Sequence, residues 1–395
     1  MATVAWFNGI LVSETGLVKD GLLVAREGRI AYAGARRDEL IPPGAERIDA
    51  GGKYIAPGFL DIHVHGGGGA DFMDADPEPV FRYHSMHGTT ALCPTTCAAP
   101  LDEILSAVDA VEHYRSGGEQ FGRALGVHLE GPYFAATKKG CHLPEQVRPP
   151  EEREWRLLLE RGGVARMTLA PELPGAQPLI EALCRAGAVA SAGHSEALYP
   201  EMMDAADWGV THTTHIYCVM TDALNNRCRG TAAARHGGIV EAIYLDDRLT
   251  TEVIADGIHL TAELLRMPLK IKGCENVAIV TDALRGAGMP EGDYTFGPRH
   301  GLMATVKNRE ARVKGGVGLA SSVCPMDEMV RITRDLTGCP LWQAVRMASL
   351  TPAEIIGCAD ELGSLAAGKR ADVLIFDEDV RIAGVYLGGR RLEGA

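Results

Sequence analysis

This sequence lacks three features: those that would place a chain in a membrane, on nucleic acid or in the secretory pathway. It has no uncharged apolar run approaching the ~18 residues that a transmembrane helix needs. It has no Lys/Arg-rich run, and its formal net charge of −13 would repel polyphosphate over most of the surface. Residues 1–9 also lack the basic segment and apolar segment of a secretory signal. We therefore expect a soluble, cytoplasmic protein with no nucleic-acid and no membrane partner.

Closely spaced cysteine pairs are lacking as well. The ten cysteines are scattered without CxxC spacing, so we expect reduced thiols and neither a zinc knuckle nor a disulfide framework. Hydrophobic residues make up 46% of the chain and charged residues 23%, which is typical of a globular protein. At 395 residues the chain is long enough for one large barrel and a smaller domain.

The two ends of the chain share a pattern that differs from the middle. Alternating or short apolar runs punctuated by glycine occur at 4–7 and 22–25, and again at 371–376 and 385–387. This pattern is typical of short antiparallel strands. We therefore predict a small β-sandwich domain built from residues 1–57 and 358–395, flanking a barrel at 58–357.

The middle of the chain contains repeated strand-then-helix patterns. Short apolar runs followed by polar loops and helical spacing indicate βα units and a parallel sheet. Apolar residues have helical spacing at 104–113 and at 341–349, and Pro352 predicts that the second helix stops. Eight runs suffice for a closed (β/α)8 barrel of the TIM type, and they lie at 59–64, 90–95, 124–129, 166–169, 188–192, 210–214, 252–255 and 276–281.

Histidines and carboxylates follow five of these eight runs. Because the carboxyl ends of barrel strands meet at one rim, these side chains are expected to converge on one mouth. Imidazole and carboxylate are ligands that suit zinc and iron. The sequence therefore predicts a divalent metal site at this rim. The candidate ligands are His63 and His65, which close the first run, Glu130 after the third, His194 after the fifth, His215 after the sixth and Asp282 after the eighth.

Eight motifs surround these candidates. They are 57–66 (PGFLDIHVHG), 87–90 (HGTT), 128–133 (HLEGPY), 138–142 (KKGCH), 193–195 (GHS), 214–215 (TH), 255–259 (ADGIH) and 281–283 (TDA). In these stretches and in their order, the chain resembles the N-acetylglucosamine-6-phosphate deacetylases of the amidohydrolase superfamily. The resemblance implies metal-dependent hydrolysis of the acetamide of an N-acetyl amino sugar, with N-acetylglucosamine 6-phosphate as the expected substrate.

The resemblance also implies a role for each candidate residue. It implies one or two divalent ions per subunit, zinc or iron, and a homodimer, because part of the phosphate site in the family comes from a neighbouring subunit. A carboxylate beside the attacking water can take its proton and pass it to the departing amine. The implied roles are Glu130, His194 and His215 for the principal ion, His63 and His65 for a second ion bridged by Glu130, Asp282 as general base and then acid, and His142 as the group that polarises the acetamide carbonyl.

The substrate loops depart from the family pattern. Cys218 and Val219 stand where the family usually has Asn-Ala, residues 227–230 (RCRG) replace Arg-Glu-Pro-Gly, and residues 318–322 (GLASS) contain Ala in place of a Gly. Because an arginine and His259 are retained, we expect an anionic substituent to help binding, but by less than in typical members. The implied substrate-binding residues are Cys218, Val219, Arg227, His259 and Ser321.

Single positions in the sequence argue for or against other functions. A different amino sugar, of the galactosamine type or unphosphorylated, remains open because the phosphate loop is altered. A cyclic-amide hydrolase would need a bridging Lys at the end of strand four, where residues 169–172 are LAPE. A deaminase would need His-x-x-Glu near strand five, but Glu196 lies only two residues after His194. A non-catalytic barrel should have lost a ligand, and none is missing.

Overall fold

The computed structural model describes residues 3–224, 236–316 and 318–394. Eight parallel strands form the wall of a barrel, in which the first pairs with the second and the third to eighth pair in sequence order. An isolated parallel bridge between Thr95 and His128 joins the second strand to the third. The Asp282 amide donates to His63 O at 2.8 Å and joins the eighth strand to the first. The barrel strands are Phe59–Val64, Thr89–Pro94, Val127–Glu130, Val164–Leu169, Val189–Ala192, Val210–Thr213, Thr250–Ile254 and Val277–Val280.

The barrel strands are buried because helices cover their outer face. In Val277–Val280 every side chain is buried, which fits a strand covered on both sides. In Glu152–Arg161 only Trp155 and Leu158 are buried, and their spacing of three places them on one face of the helix. The helices are Glu78–Met86, Leu101–Ser116, Glu152–Arg161, Ala176–Arg185, Tyr199–Trp208, Ile239–Leu245, Ala262–Lys272, Met326–Thr337, Leu341–Met347 and Leu350–Ile355.

Strands from both ends of the chain form one further sheet, which confirms the predicted fold class of a barrel with a small terminal β domain. Tyr54–Pro57 pairs antiparallel with Val373–Phe376 at the centre of this sheet. Its eight strands are Thr3–Ser13, Gly16–Arg26, Arg29–Ala35, Glu46–Asp49, Tyr54–Pro57, Val373–Phe376, Ile382–Leu387 and Arg390–Arg391.

Shorter strands complete the described part of the chain. Gly66–Gly67 pairs with Ala70–Asp71 beside the barrel mouth. Gly292–Thr295, Met303–Lys307 and Glu310–Val313 form a three-stranded antiparallel sheet after the eighth barrel strand. Among the described helices, none has the length and apolarity needed to cross a membrane.

One local prediction was wrong, and a second region holds an extra helix. The run at 124–129 is not one strand, because Gly126 has a φ of 107° and separates Arg123–Ala124 from Val127–Glu130. The helix at 341–349 stops before Pro352 as predicted, at Met347, but Pro352 itself lies in the first turn of a further helix, Leu350–Ile355. Proline is tolerated there, since the first amide groups of a helix have no intrahelical acceptor.

The terminal sheet shares its hydrophobic core with the barrel. Leu374 and Phe376 of the sheet belong to the same buried cluster as Phe59 of the first barrel strand, and the Phe59 and Phe376 ring centroids lie 6.4 Å apart. Removing the terminal segments would therefore expose apolar surface on the barrel.

The domain boundaries near Pro57 and Gly357 stay a prediction that expression of residues 58–357 alone would test. We expect an insoluble or aggregating fragment, because its apolar flank loses the terminal sheet. Solubility and size-exclusion profile should be compared with those of the full chain. A monodisperse and active fragment would contradict this prediction.

Candidate active site

The structure brings all six predicted metal ligands together at one rim of the barrel. Each follows or ends a strand, and parallel strands place their carboxyl ends on the same side of the barrel. All six side chains are nearly inaccessible to solvent, and the most exposed residue, Asp282, is only 8% exposed. Burial of so many polar groups at one point is unfavourable unless they pair with each other or bind an ion.

Glu130 stands at the centre of this cluster. Five imidazole groups place an Nε2 atom between 3.1 and 3.3 Å from one of its two carboxylate oxygens. The five residues are His63, His65, His142, His194 and His215. One carboxylate therefore lies between the two sets of ligands predicted from the sequence.

The ligand atoms form two groups that fit divalent ions. His63, His65 and Asp282 make one group, and Glu130, His194 and His215 make the other, with the atoms of each group within 4.8 Å of one another. Nε2 atoms of His194 and His215 are only 3.2 Å apart, and His63 Nε2 is buried without a hydrogen bond to any described residue. Such nitrogens with carboxylate oxygens are a donor set for zinc or iron. The two groups are consistent with a binuclear centre.

The protonation states of two ligands favour metal binding. Burial would raise the pKa of Glu130, but His63 and the hydrogen-bonding imidazoles hold that pKa well below its usual range. Burial lowers the pKa of His194 to about 4, so its imidazole is neutral near pH 7. An ionised carboxylate and a neutral imidazole are the forms that coordinate metals.

Hydrogen bonds at the far nitrogens distinguish His194 from His142. His194 Nδ1 lies 2.7 Å from Lys138 O, which can only accept, so Nδ1 carries the hydrogen and Nε2 presents a lone pair. His142 Nδ1 instead accepts from the Ala98 amide at 3.1 Å, so in the neutral ring Nε2 carries the hydrogen. His194 is therefore arranged as a ligand, and His142 as a hydrogen-bond donor facing the cluster.

Three of the strand-end ligands adopt a left-handed backbone. His194, His215 and Asp282 have φ values of 49°, 32° and 44°. Non-glycine residues in sparsely populated regions cost about 1–3 kcal/mol each and persist where the surrounding structure holds them. These three residues therefore hold an unfavourable backbone conformation that directs their side chains towards the cluster.

Asp282 is held in place from two sides. Ser321 Oγ donates to Asp282 Oδ1 at 2.8 Å, and the same oxygen lies 3.2 Å from His65 Nε2. Burial would raise the pKa of Asp282, but His63 and His65 lower it to about 2. The carboxylate is therefore ionised and oriented at the edge of the metal-binding cluster.

The cluster opens into a cavity of about 430 Å³. Four of the predicted substrate-binding residues line it, namely Cys218, Val219, His259 and Ser321. His259 Nδ1 is paired with Asp256 Oδ2 at 2.7 Å. The fifth, Arg227, lies outside the described residues.

Several residues that shape the site were not predicted from the sequence. Phe134 stacks on His194 with ring centroids 4.1 Å apart, and Phe296 lies 4.7 Å from the His65 ring. Glu252 accepts from His63 and is fully buried. A charged residue in the buried run at 250–254 was the signal that could have identified Glu252, since buried charges are seldom found unpaired.

Comparisons with known proteins show which family the chain matches. The amidohydrolase family pattern matches residues 54–392. An N-acetylglucosamine-6-phosphate deacetylase from Lysinibacillus sphaericus is 30% identical over 97% of this chain and 96% of its own length. An N-acetylgalactosamine-6-phosphate deacetylase from Escherichia coli is 32% identical over 96% of this chain and 97% of its own length.

A solved structure extends the similarity to three dimensions. It is a mutant N-acetyl-D-glucosamine-6-phosphate deacetylase from Mycobacterium smegmatis in complex with N-acetyl-D-glucosamine-6-phosphate. It matches with a TM-score of 0.89 and 31% identity, covering 99% of this chain and 100% of the other. The chain therefore belongs to the amidohydrolase family, in the group that includes the N-acetylglucosamine-6-phosphate and N-acetylgalactosamine-6-phosphate deacetylases.

Proposed function

We propose that this protein removes the acetyl group from an N-acetyl amino sugar 6-phosphate, with N-acetylglucosamine 6-phosphate as the first candidate. The products would be glucosamine 6-phosphate and acetate. The observation that carries the proposal is the Glu130 carboxylate among five imidazoles, with Asp282 on the same cluster and a cavity in front of it. Zinc or iron, a homodimer and a cytoplasmic location complete the proposal.

Hydrolysis of an amide needs an activated water molecule and a polarised carbonyl group. Divalent ions held by the two ligand groups would lower the pKa of a water molecule and polarise a carbonyl oxygen. Asp282 would accept a proton from the attacking water, because its carboxylate is ionised and fixed by Ser321. The same carboxyl group would then give that proton to the sugar nitrogen, so that the amine leaves in neutral form.

His142 would act on the substrate carbonyl. Its Nε2–H faces the cluster, and a donor aimed at the oxygen that gains charge stabilises the transition state. Phe296 packs 5.3 Å from the His142 ring and restricts its rotation. His142 therefore needs no metal bond to contribute.

Two observations bear on the identity of the sugar. Cys218 and Val219 occupy the cavity wall where the family usually has Asn-Ala, and relatives named for two different amino sugars match at similar identity. An N-acetylgalactosamine 6-phosphate or an unphosphorylated sugar is therefore the second candidate. A cyclic-amide hydrolase is disfavoured because Glu130, and not a strand-four Lys, contacts histidines of both ligand groups.

A substrate screen tests the proposed reaction. Acetate release should be measured with N-acetylglucosamine, N-acetylgalactosamine and N-acetylmannosamine, each with and without a 6-phosphate. We expect the highest kcat/KM with a 6-phosphate. Faster turnover of the unphosphorylated sugars would favour the second candidate, and no acetate from any of the six would refute the deacetylase proposal.

Replacing one ligand tests the principal metal group. His215→Ala should lose one ion and nearly all activity, because it removes a nitrogen from the group of Glu130 and His194. His300→Ala, at an exposed imidazole, is the control and should behave like the wild type. Metal analysis and acetate release measure both effects, and an active His215→Ala variant with full metal content would refute the assignment.

Replacing the proposed base tests proton transfer while the principal metal group stays intact, because Asp282 belongs to the other group, with His63 and His65. Asp282→Asn should keep the ion of the Glu130 group and lower kcat by at least ~10²–10⁴-fold, since a positioned acid/base contributes that much. Asp372→Asn, at a buried carboxylate of the terminal sheet, should leave kcat unchanged. If kcat and the acidic limb of the pH–rate profile were normal in Asp282→Asn, another group would have to be the base.

Replacing Arg227, the arginine retained in the altered loop, tests phosphate recognition. Arg227→Ala should raise KM for a phosphorylated N-acetyl sugar by roughly 10- to 150-fold, from a charge-assisted bond of about 1.5–3 kcal/mol. Turnover of the unphosphorylated sugar should hardly change. Arg299→Ala, at a side chain 88% exposed, is the control. Equal effects of Arg227→Ala on both sugars would mean that Arg227 does not contact phosphate.

A further inference from the structure

A second buried network lies on the barrel side of the metal-binding cluster, away from the cavity. Its centre is Glu252 on the seventh barrel strand, whose side chain is fully buried. Arg166 of the fourth strand is fully buried as well, and its Nη1 lies 2.5 Å from Glu252 Oε2. This ion pair crosses the interior of the barrel beneath the proposed metal ligands.

Glu252 contacts both groups of proposed ligands. Its Oε1 lies 2.7 Å from Nδ1 of His63, which belongs to the group with His65 and Asp282. The same oxygen lies 3.3 Å from the backbone nitrogen of His215, which belongs to the group with Glu130 and His194. Because His215 has a left-handed backbone with a φ of 32°, an acceptor for its amide helps to hold that conformation.

We propose that Glu252 is a positioning residue that fixes His63 and His215 for metal binding without touching the metal or the substrate. A carboxylate that accepts from Nδ1–H leaves the Nε2 lone pair of His63 free to face the cluster. Such outer carboxylates fix the tautomer and ring orientation of a ligating histidine and increase its basicity. His63 Nε2 is 3.2 Å from Glu130 Oε1, so its lone pair is directed at the site.

Arg166 contacts Glu252 and also the residues that precede the two histidines. Its Nη1 also donates to Ile62 O at 3.3 Å, and its Nη2 donates to Thr214 Oγ1 at 3.1 Å. These contacts tie the residues immediately before His63 and His215 to one guanidinium. A buried carboxylate without a cation would be strongly destabilising, so Arg166 allows Glu252 to remain charged beside two ligands.

A purely structural ion pair would explain the same contacts, so the test must separate metal affinity from folding. Glu252→Gln removes the charge, and Glu252→Asp keeps it but shortens its reach. Both should weaken binding of one or both ions by ~10–100-fold, the usual cost of losing an outer carboxylate. The thermal midpoint of the metal-free protein measures folding separately.

Glu154→Gln is the matched control, because Glu154 also pairs with a partly buried arginine, Arg148, yet contacts neither ligand group. Zinc dissociation constants from chelator competition should be normal in this variant. Zinc affinity unchanged in both Glu252 variants would overturn the proposal. Since the inference rests on the proposed ligand roles, a wild-type protein that binds no zinc would refute those roles and the inference, whereas selective weakening supports the inference whichever sugar is hydrolysed.

A measurement on the unaltered protein covers the case in which the variants do not fold. The ¹⁵N shifts of histidine-labelled, zinc-loaded protein should show His63 protonated at Nδ1, with Nε2 unprotonated. Protonation at Nε2 with a bare Nδ1 would overturn the proposal, because Glu252 could then accept nothing from His63.

Discussion

The carboxylate of Glu130, surrounded by five imidazole nitrogens at 3.1–3.3 Å, is the arrangement on which the rest of the site depends. Buried imidazoles so close together and to a carboxylate are unfavourable unless cations or protons lie between them. No single strand could supply such a set. The barrel supplies it, because its strands end at one rim, where the first, third, fifth and sixth strands and the loop carrying His142 contribute these side chains.

Rigidity around this carboxylate comes from backbone and outer contacts together. His194, His215 and Asp282 leave their strands in a left-handed conformation, which turns their side chains towards the barrel axis. Lys138 O and Glu252 then fix the far nitrogens of His194 and His63. These contacts fix the orientation of the candidate ligands, and groups held in this way need little reorganisation during catalysis.

The sequence was sufficient for the barrel and for the convergence of the candidate ligands, but for different reasons. Apolar runs such as 277–280 have the composition of strands covered on both faces, and the histidines and carboxylates after these runs predicted a shared rim. Their proposed roles came from resemblance. The charge in the buried run at 250–254 signals that Glu252 has a partner, but the sequence does not identify that partner, because the contacts on the first and sixth strands are brought to Glu252 only by barrel closure. The break at Gly126 and the helix containing Pro352 depended on local backbone geometry that periodicity does not encode.

The central claim is that the two ligand groups around Glu130 hold ions needed for amide hydrolysis. The most direct test is to strip the purified protein with a chelator and titrate zinc or iron back while measuring acetate release from N-acetylglucosamine 6-phosphate. We predict that activity is lost with the metal and returns in proportion to bound ion, saturating at one or two per chain. Acetate release that is unaffected by complete removal of metal would contradict the account.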